Sequence, residues 1–176
     1  VDNSAENSVC FNLCEVLQKE YNGVRLIHTK ANIGHGRALH MGINICYTEH
    51  VLVMDSDTRM LEPCIRDMEY MIDENVYGVG EIQIVDKTGH NSTTGIKYLH
   101  PYFALINKRH YDNNPGFIHH GAPFIKTMIH LSDHDKLTLK EYPLKRFVLH
   151  KERGTRNVIA ALERKQAILS RRKAVK

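Results

Sequence analysis

The sequence predicts an α/β protein whose sheet has a parallel core, and three observations carry that expectation. Segments with apolar residues at helical spacing alternate along the chain with short apolar runs. The run from His50 to Met54 (HVLVM) is almost continuously apolar, as in a strand covered on both faces. Gly and Pro punctuate the junctions, at Asn22-Gly23, at Gly34 to Gly36 and at Pro63.

Taken in order, Asn7 to Tyr21 reads as a helix with Val9, Leu13, Val16 and Leu17 on one side, ended by Asn22-Gly23. Val24 to Thr29 reads as a short strand, and Ala31 to Gly36 as a Gly-containing loop. Arg37 to Tyr47 has Ala38, Met41 and Ile45 at helical spacing. After the strand His50 to Met54, Pro63 opens a helix that runs through Met71 and Ile72. Tyr77 to Val85 is a strand, closed by the turn Asp86 to His90. Tyr102 to Ile106 is strand-like, Asn113 to Gly116 a turn, and Pro123 to Leu131 helical. Phe147 to Leu149 is strand-like, and a last helix begins at Asn157, with Val158, Leu162, Ile168 and Leu169 on a common side.

Length and composition narrow the class. A chain of 176 residues suits one domain. Its 42% hydrophobic and 25% charged residues exclude collagen-like and disordered compositions. Its longest clean apolar run, Val51 to Met54, falls far short of the ~20 residues a membrane span needs. The cysteines Cys10, Cys14, Cys46 and Cys64 show no C-x-x-C spacing and read as packed thiols of a reducing cytosol. The net charge of +4 is unevenly spread: residues 151–176 hold nine Lys/Arg against two Asp/Glu, leaving a mildly acidic body. That body gives no support for a nucleic-acid-binding domain.

Three stretches carry chemistry. Asp55-Ser56-Asp57 directly follows the buried-looking strand, and in open α/β sheets ligands bind beyond the carboxyl ends of strands. Two carboxylates one residue apart there can hold a hard divalent cation, which can in turn bind a diphosphate. Val1-Asp2-Asn3-Ser4 reads as a strand end and polar turn, so Asp2 would share a rim with Asp55 if the two strands are neighbours. In Asn32-Ile33-Gly34-His35-Gly36-Arg37-Ala38, the glycines permit close approach of a ligand to the backbone, and the following helix N-terminus favours an anion.

Together these stretches resemble the family-2 glycosyltransferases, most closely the bacterial rhamnosyltransferase-like branch. VDNSAENS is similar to the family's V-D-N-x-S strand end. NIGHGRALHMG is similar to its N-x-G-x-G-x-A loop, with His40 at the usual second Asn. VLVMDSDTRMLEP is similar to its strand with D-x-D-T, and FVLHKERGT to its late strand and His. The resemblance spans about residues 1–155 and implies a GT-A fold, an α/β three-layer sandwich around a mostly parallel central sheet. It leaves 156–176 as a separate basic helix.

The resemblance also implies residue roles. Asp2 would lie near the base or ribose of a nucleoside-diphosphate sugar, with Asn32 and Gly34 on the donor. Asp55 would contact the ribose or the metal, Asp57 would ligate Mn²⁺ or Mg²⁺, and His150 would be a further metal or phosphate contact. Arg153 would help neutralise the leaving diphosphate. The family's opening strand would precede Val1. Where inverting members carry an acidic pair whose Asp is the general base, this chain reads PGFIHHGAPFIK, with no acid. His119 or His120 can take that role, since an imidazole titrates near neutral pH, and Asp135, beside Asp133, is the alternative.

The implied reaction is metal-dependent transfer of a sugar to a hydroxyl of a saccharide, lipid-linked or protein acceptor, with inversion. A second reading is a truncated, non-catalytic relative that binds nucleotide or a partner. The tail NVIAALERKQAILSRRKAVK is basic and mildly amphipathic, which suits peripheral contact with the inner, anionic face of the membrane by an otherwise cytoplasmic protein.

Overall fold

A computed structural model describes the whole chain except residues 5, 7, 120, 135–136 and 152–176. Helix α1 (Val9–Glu20) is capped by Ser8, whose side chain accepts from the Phe11 N–H. Helix α2 (His35–Asn44) follows Gly34, which sits at φ +88°. Then come β1 (His50–Met54), β2 (Thr58–Met60), α3 (Ile65–Tyr70), β3 (Val76–Val85) and β4 (Ile96–Asn107). The short α4 (Lys108–Asp112), α5 (Ile125–His134), β5 (Thr138–Glu141), α6 (Leu144–Phe147) and β6 (Val148–His150) complete the described elements.

The α/β class is as the sequence predicts, and the main sheet is mixed. Its order is β1-β4-β3-β5, with β4 antiparallel to both β1 and β3, and β5 parallel to β3. The physical reason lies in the β3–β4 connection. No helix intervenes between Val85 and Ile96, so the chain turns back on itself. Gly89 (φ +90°) and Gly95 (φ +153°) supply backbone that other residues rarely adopt. A second, two-stranded antiparallel sheet joins β2 to β6.

Both faces of the main sheet are covered. Val51, Val53, Ala104 and Ile106 pack with Ile43 of α2 and with Ile125 and Met128 of α5. The alternate residues Phe103 and Leu105 pack with Met68 of α3, Leu144 of α6 and Val148 of β6. That alternation on β4 is the period of two expected of a central strand. Helix α1 differs from its sequence pattern, because it buries no residue and leaves Val9, Leu13 and Val16 exposed.

The segment read as a strand at Val24 to Thr29 makes a single parallel bridge, Asp2 to His28. The last predicted helix, from Asn157, lies outside the described residues, as does the boundary between 1–155 and 156–176. No helix among the described residues is long and apolar enough to cross a membrane. All four cysteines are free thiols.

Candidate metal and donor site

The turn after β1 is built by β4. The Tyr102 carbonyl accepts from the Asp55 N–H at 2.9 Å and from the Thr58 hydroxyl at 3.2 Å. The Thr58 N–H in turn donates to the Asp55 carbonyl. Beyond the turn, β2 pairs with β6 so that Thr58 lies opposite His150, and the Lys151 N–H donates to the Asp57 carbonyl at 2.9 Å. This pairing brings a histidine from the far end of the described chain to the acidic turn. His150 Nε2 lies 3.4 Å from Asp57 Oδ1. Ligand atoms of Asp55, Asp57 and His150 all lie within 4.8 Å of one another, and all three residues are half-buried. Two carboxylates and an imidazole offer oxygen and nitrogen donors that fit a divalent cation of the first transition row.

A long bulge shapes the neighbouring wall. Gly80 pairs with Ala104 and Ile82 with Leu99, so His100 to Phe103 face the single residue Glu81. Bulges of this kind re-aim side chains beside functional sites. Here the Tyr102 ring lies flat against the His150 ring, with centroids 4.5 Å apart and planes 4° from parallel. The Tyr102 hydroxyl donates to Glu81 Oε2 at 2.8 Å. Burial, followed by that carboxylate, raises the phenol well above its ordinary range, so it stays a donor.

Two cavities meet at this turn. One, of about 740 Å³, is lined by Glu81, Tyr98, His100, Tyr102, Lys145 and His150 among others. The second, of about 590 Å³, lies between the edge of β1, helix α2 and the Val1–Asn3 segment, and reaches Asp57. His35 and Asp55 line both, with His35 Nε2 3.1 Å from Asp55 Oδ1.

Not every residue expected at the site gathers here. Asp2 is 7% exposed, and its carboxylate turns inward to the Ser4 N–H and hydroxyl and to His28 Nδ1. Burial pushes its carboxyl up, but these hydrogen bonds outweigh it and hold the group below the usual carboxylate range. The cavity is instead lined by its neighbours Val1 and Asn3. Asn32 and Gly34 line a separate concavity with Arg37 and Ile118. Gly36 meets protein rather than ligand, since a Cβ there would collide with the His119 carbonyl oxygen. His119 is exposed, and its Nδ1 accepts from the Ala122 N–H at 3.3 Å. His120, Asp135 and Arg153 lie outside the described residues.

The sequence reading missed His35, Glu81, Tyr102 and Lys145. Glu81 had a signal, as the first charged residue in a strand whose preceding residues are all buried. Tyr102 had none, because its place depends on the bulge.

No curated protein matches the chain. Residues 2–131 match the family model described as "Glycosyl transferase family 2".

Proposed function

The chain belongs to glycosyl transferase family 2, and from that premise we propose that it transfers a sugar from a nucleoside-diphosphate sugar to an acceptor hydroxyl, with a divalent cation at Asp55, Asp57 and His150. The observation that carries the metal dependence is the convergence of these three side chains at the carboxyl end of β1, where two cavities meet.

Asp55, on the wall between the cavities, and Asp57 face the diphosphate, and His150 completes the donor set. The bound cation supplies charge neutralisation of the departing diphosphate. Asp2 acts from behind, ordering the Val1–Asn3 edge of the nucleotide cavity through Ser4 and His28. The larger cavity, beyond His35 and Asp55, takes the sugar and its acceptor, and attack from that side inverts the anomeric carbon. Mn²⁺ suits the mixed oxygen and nitrogen set better than Mg²⁺, which prefers oxygen alone.

The test is a thermal-shift panel of UDP, dTDP, GDP and ADP, each with and without Mn²⁺, on the native chain and on Asp57→Asn. A nucleotide at a hundred times its dissociation constant adds about 2.7 kcal/mol. The expected result is a shift with one nucleotide that requires Mn²⁺ and disappears in Asp57→Asn. A shift of equal size in the variant would remove Asp57 from the metal site.

A further inference from the structure

We propose that Glu81 is the acceptor-side base of this reaction, and that the space between Glu81 and Asp55 seats a polyhydroxylated acceptor. The inference rests on the transferase reading and assigns a role the sequence pattern does not give. Among the described residues lining the larger cavity, the carboxylates are Asp55 and Glu81. Asp55 belongs to the metal-binding group and lies against His35. Ala122 and Pro123 line the same cavity and bring no acid.

Glu81 is aimed by structure on both sides. The bulge opposes His100 to Phe103 to this one residue. Tyr102 donates to its Oε2 and Gln83 Nε2 to its Oε1, at 2.8 and 2.9 Å. Each carboxylate oxygen can accept two hydrogen bonds and takes one of these, so a lone pair remains on each for an incoming hydroxyl. Burial raises the Glu81 carboxyl, and the Gln83 and Tyr102 hydrogen bonds with the Lys145 and His100 charges bring it below its ordinary value. It is therefore ionised at neutral pH, as a base must be. Gln83, His100 and Lys145 line the same cavity and offer the additional polar contacts a polyol requires.

The step balances without further reagents. The acceptor O–H bond breaks and its proton passes to a Glu81 oxygen. The acceptor oxygen forms a bond to the anomeric carbon. The bond from that carbon to the phosphate oxygen breaks, and its electron pair leaves with the nucleoside diphosphate. Water in the same position gives sugar release.

The experiment follows sugar release to water from UDP-glucose, UDP-galactose, GDP-mannose and dTDP-glucose with Mn²⁺, beside the thermal shift with the matching nucleotide. Native chain, Glu81→Gln and Glu81→Ala are compared. Expected are an unchanged nucleotide shift, release at least about 100-fold slower in both variants, and partial recovery of Glu81→Ala by added formate. A merely structural Glu81 would not be rescued by a small carboxylate. Release within threefold of native in Glu81→Gln overturns the assignment, as does slowing in both variants that formate fails to reverse. If the native chain releases no sugar from any donor, the base assignment falls. The donor-site reading then stands or falls separately, on whether the Mn²⁺-dependent nucleotide shift is present.

Discussion

Asp2 is a charged group that the fold has turned to structural use. Three hydrogen bonds reach its carboxylate, and its backbone bridges to the segment around His28 through the Ile27 carbonyl and the Thr29 N–H. Because these bonds favour the ionised form, the folded chain holds the carboxyl below its unfolded value of about 3.9. The stabilisation is present above that value and is lost as pH falls through the lowered folded one. Asp2→Asn is expected to cost about 2 kcal/mol at pH 7 and to flatten the acid limb of stability. Urea midpoints of native and variant chains at pH 7 and below pH 3 measure this; a gap that does not narrow in acid would contradict it. At this scale the sequence was legible in part. Asp55 and Asp57 stand where the strand-end rule puts them. The company kept by Asp2 is visible only once His28 is placed beside it.

Among the elements, α2 and β4 show why local pattern is an incomplete guide. The spacing of Ala38, Met41 and Ile45 announces α2, yet its start is fixed by backbone from elsewhere. A Cβ on Gly36 would meet the His119 carbonyl oxygen, the His119 nitrogen and the Ile118 carbonyl carbon, all within 3 Å. Gly36→Ala is therefore expected to destabilise by about 1–3 kcal/mol, read from urea unfolding, with the loss spreading to His35 and hence to the wall shared by the cavities. An unaffected midpoint would mean that the 118–119 loop gives way freely. In β4, the sequence shows only Tyr102 to Ile106 as strand. The first half is interrupted by Pro101 and His100, and these are the residues the bulge expels from regular pairing. The same bulge creates the Tyr102–His150 stack, so the least strand-like stretch of sequence is the one that shapes the site. The short elements β2, β5, α4 and α6 carry too few residues for a period to show.

At the scale of the whole molecule, alternation of helices and strands was enough for the α/β class and for covering of the sheet on both sides. The β3–β4 connection, where strand follows strand with no helix between, makes those two neighbours antiparallel, and with the parallel β3–β5 pair the sheet is mixed. The family was legible because several motifs stand in order, and the match over residues 2–131 agrees. His150 lies beyond that match. Its arrival depends on a pairing between β2 and β6 that no local spacing announces. The basic stretch 156–176 carries its own expectation from sequence. The full chain should float with anionic vesicles of phosphatidylserine and phosphatidylcholine, and a chain ending at Thr155 should float less. Equal flotation would remove the membrane contact.

The cluster of Asp55, Asp57 and His150 has a topological consequence as well. Roughly ninety residues separate its acidic pair from its histidine, and a cation bound by all three closes that span into a ring. Closing a flexible loop of that length costs the unfolded chain about 4 kcal/mol of entropy, whereas in the folded chain the ends already meet. At the proposed site such an ion would be a clasp as much as a reagent: it would bind tightly only once the fold has brought both ends together, and chelation is expected to loosen the fold as well as to halt turnover.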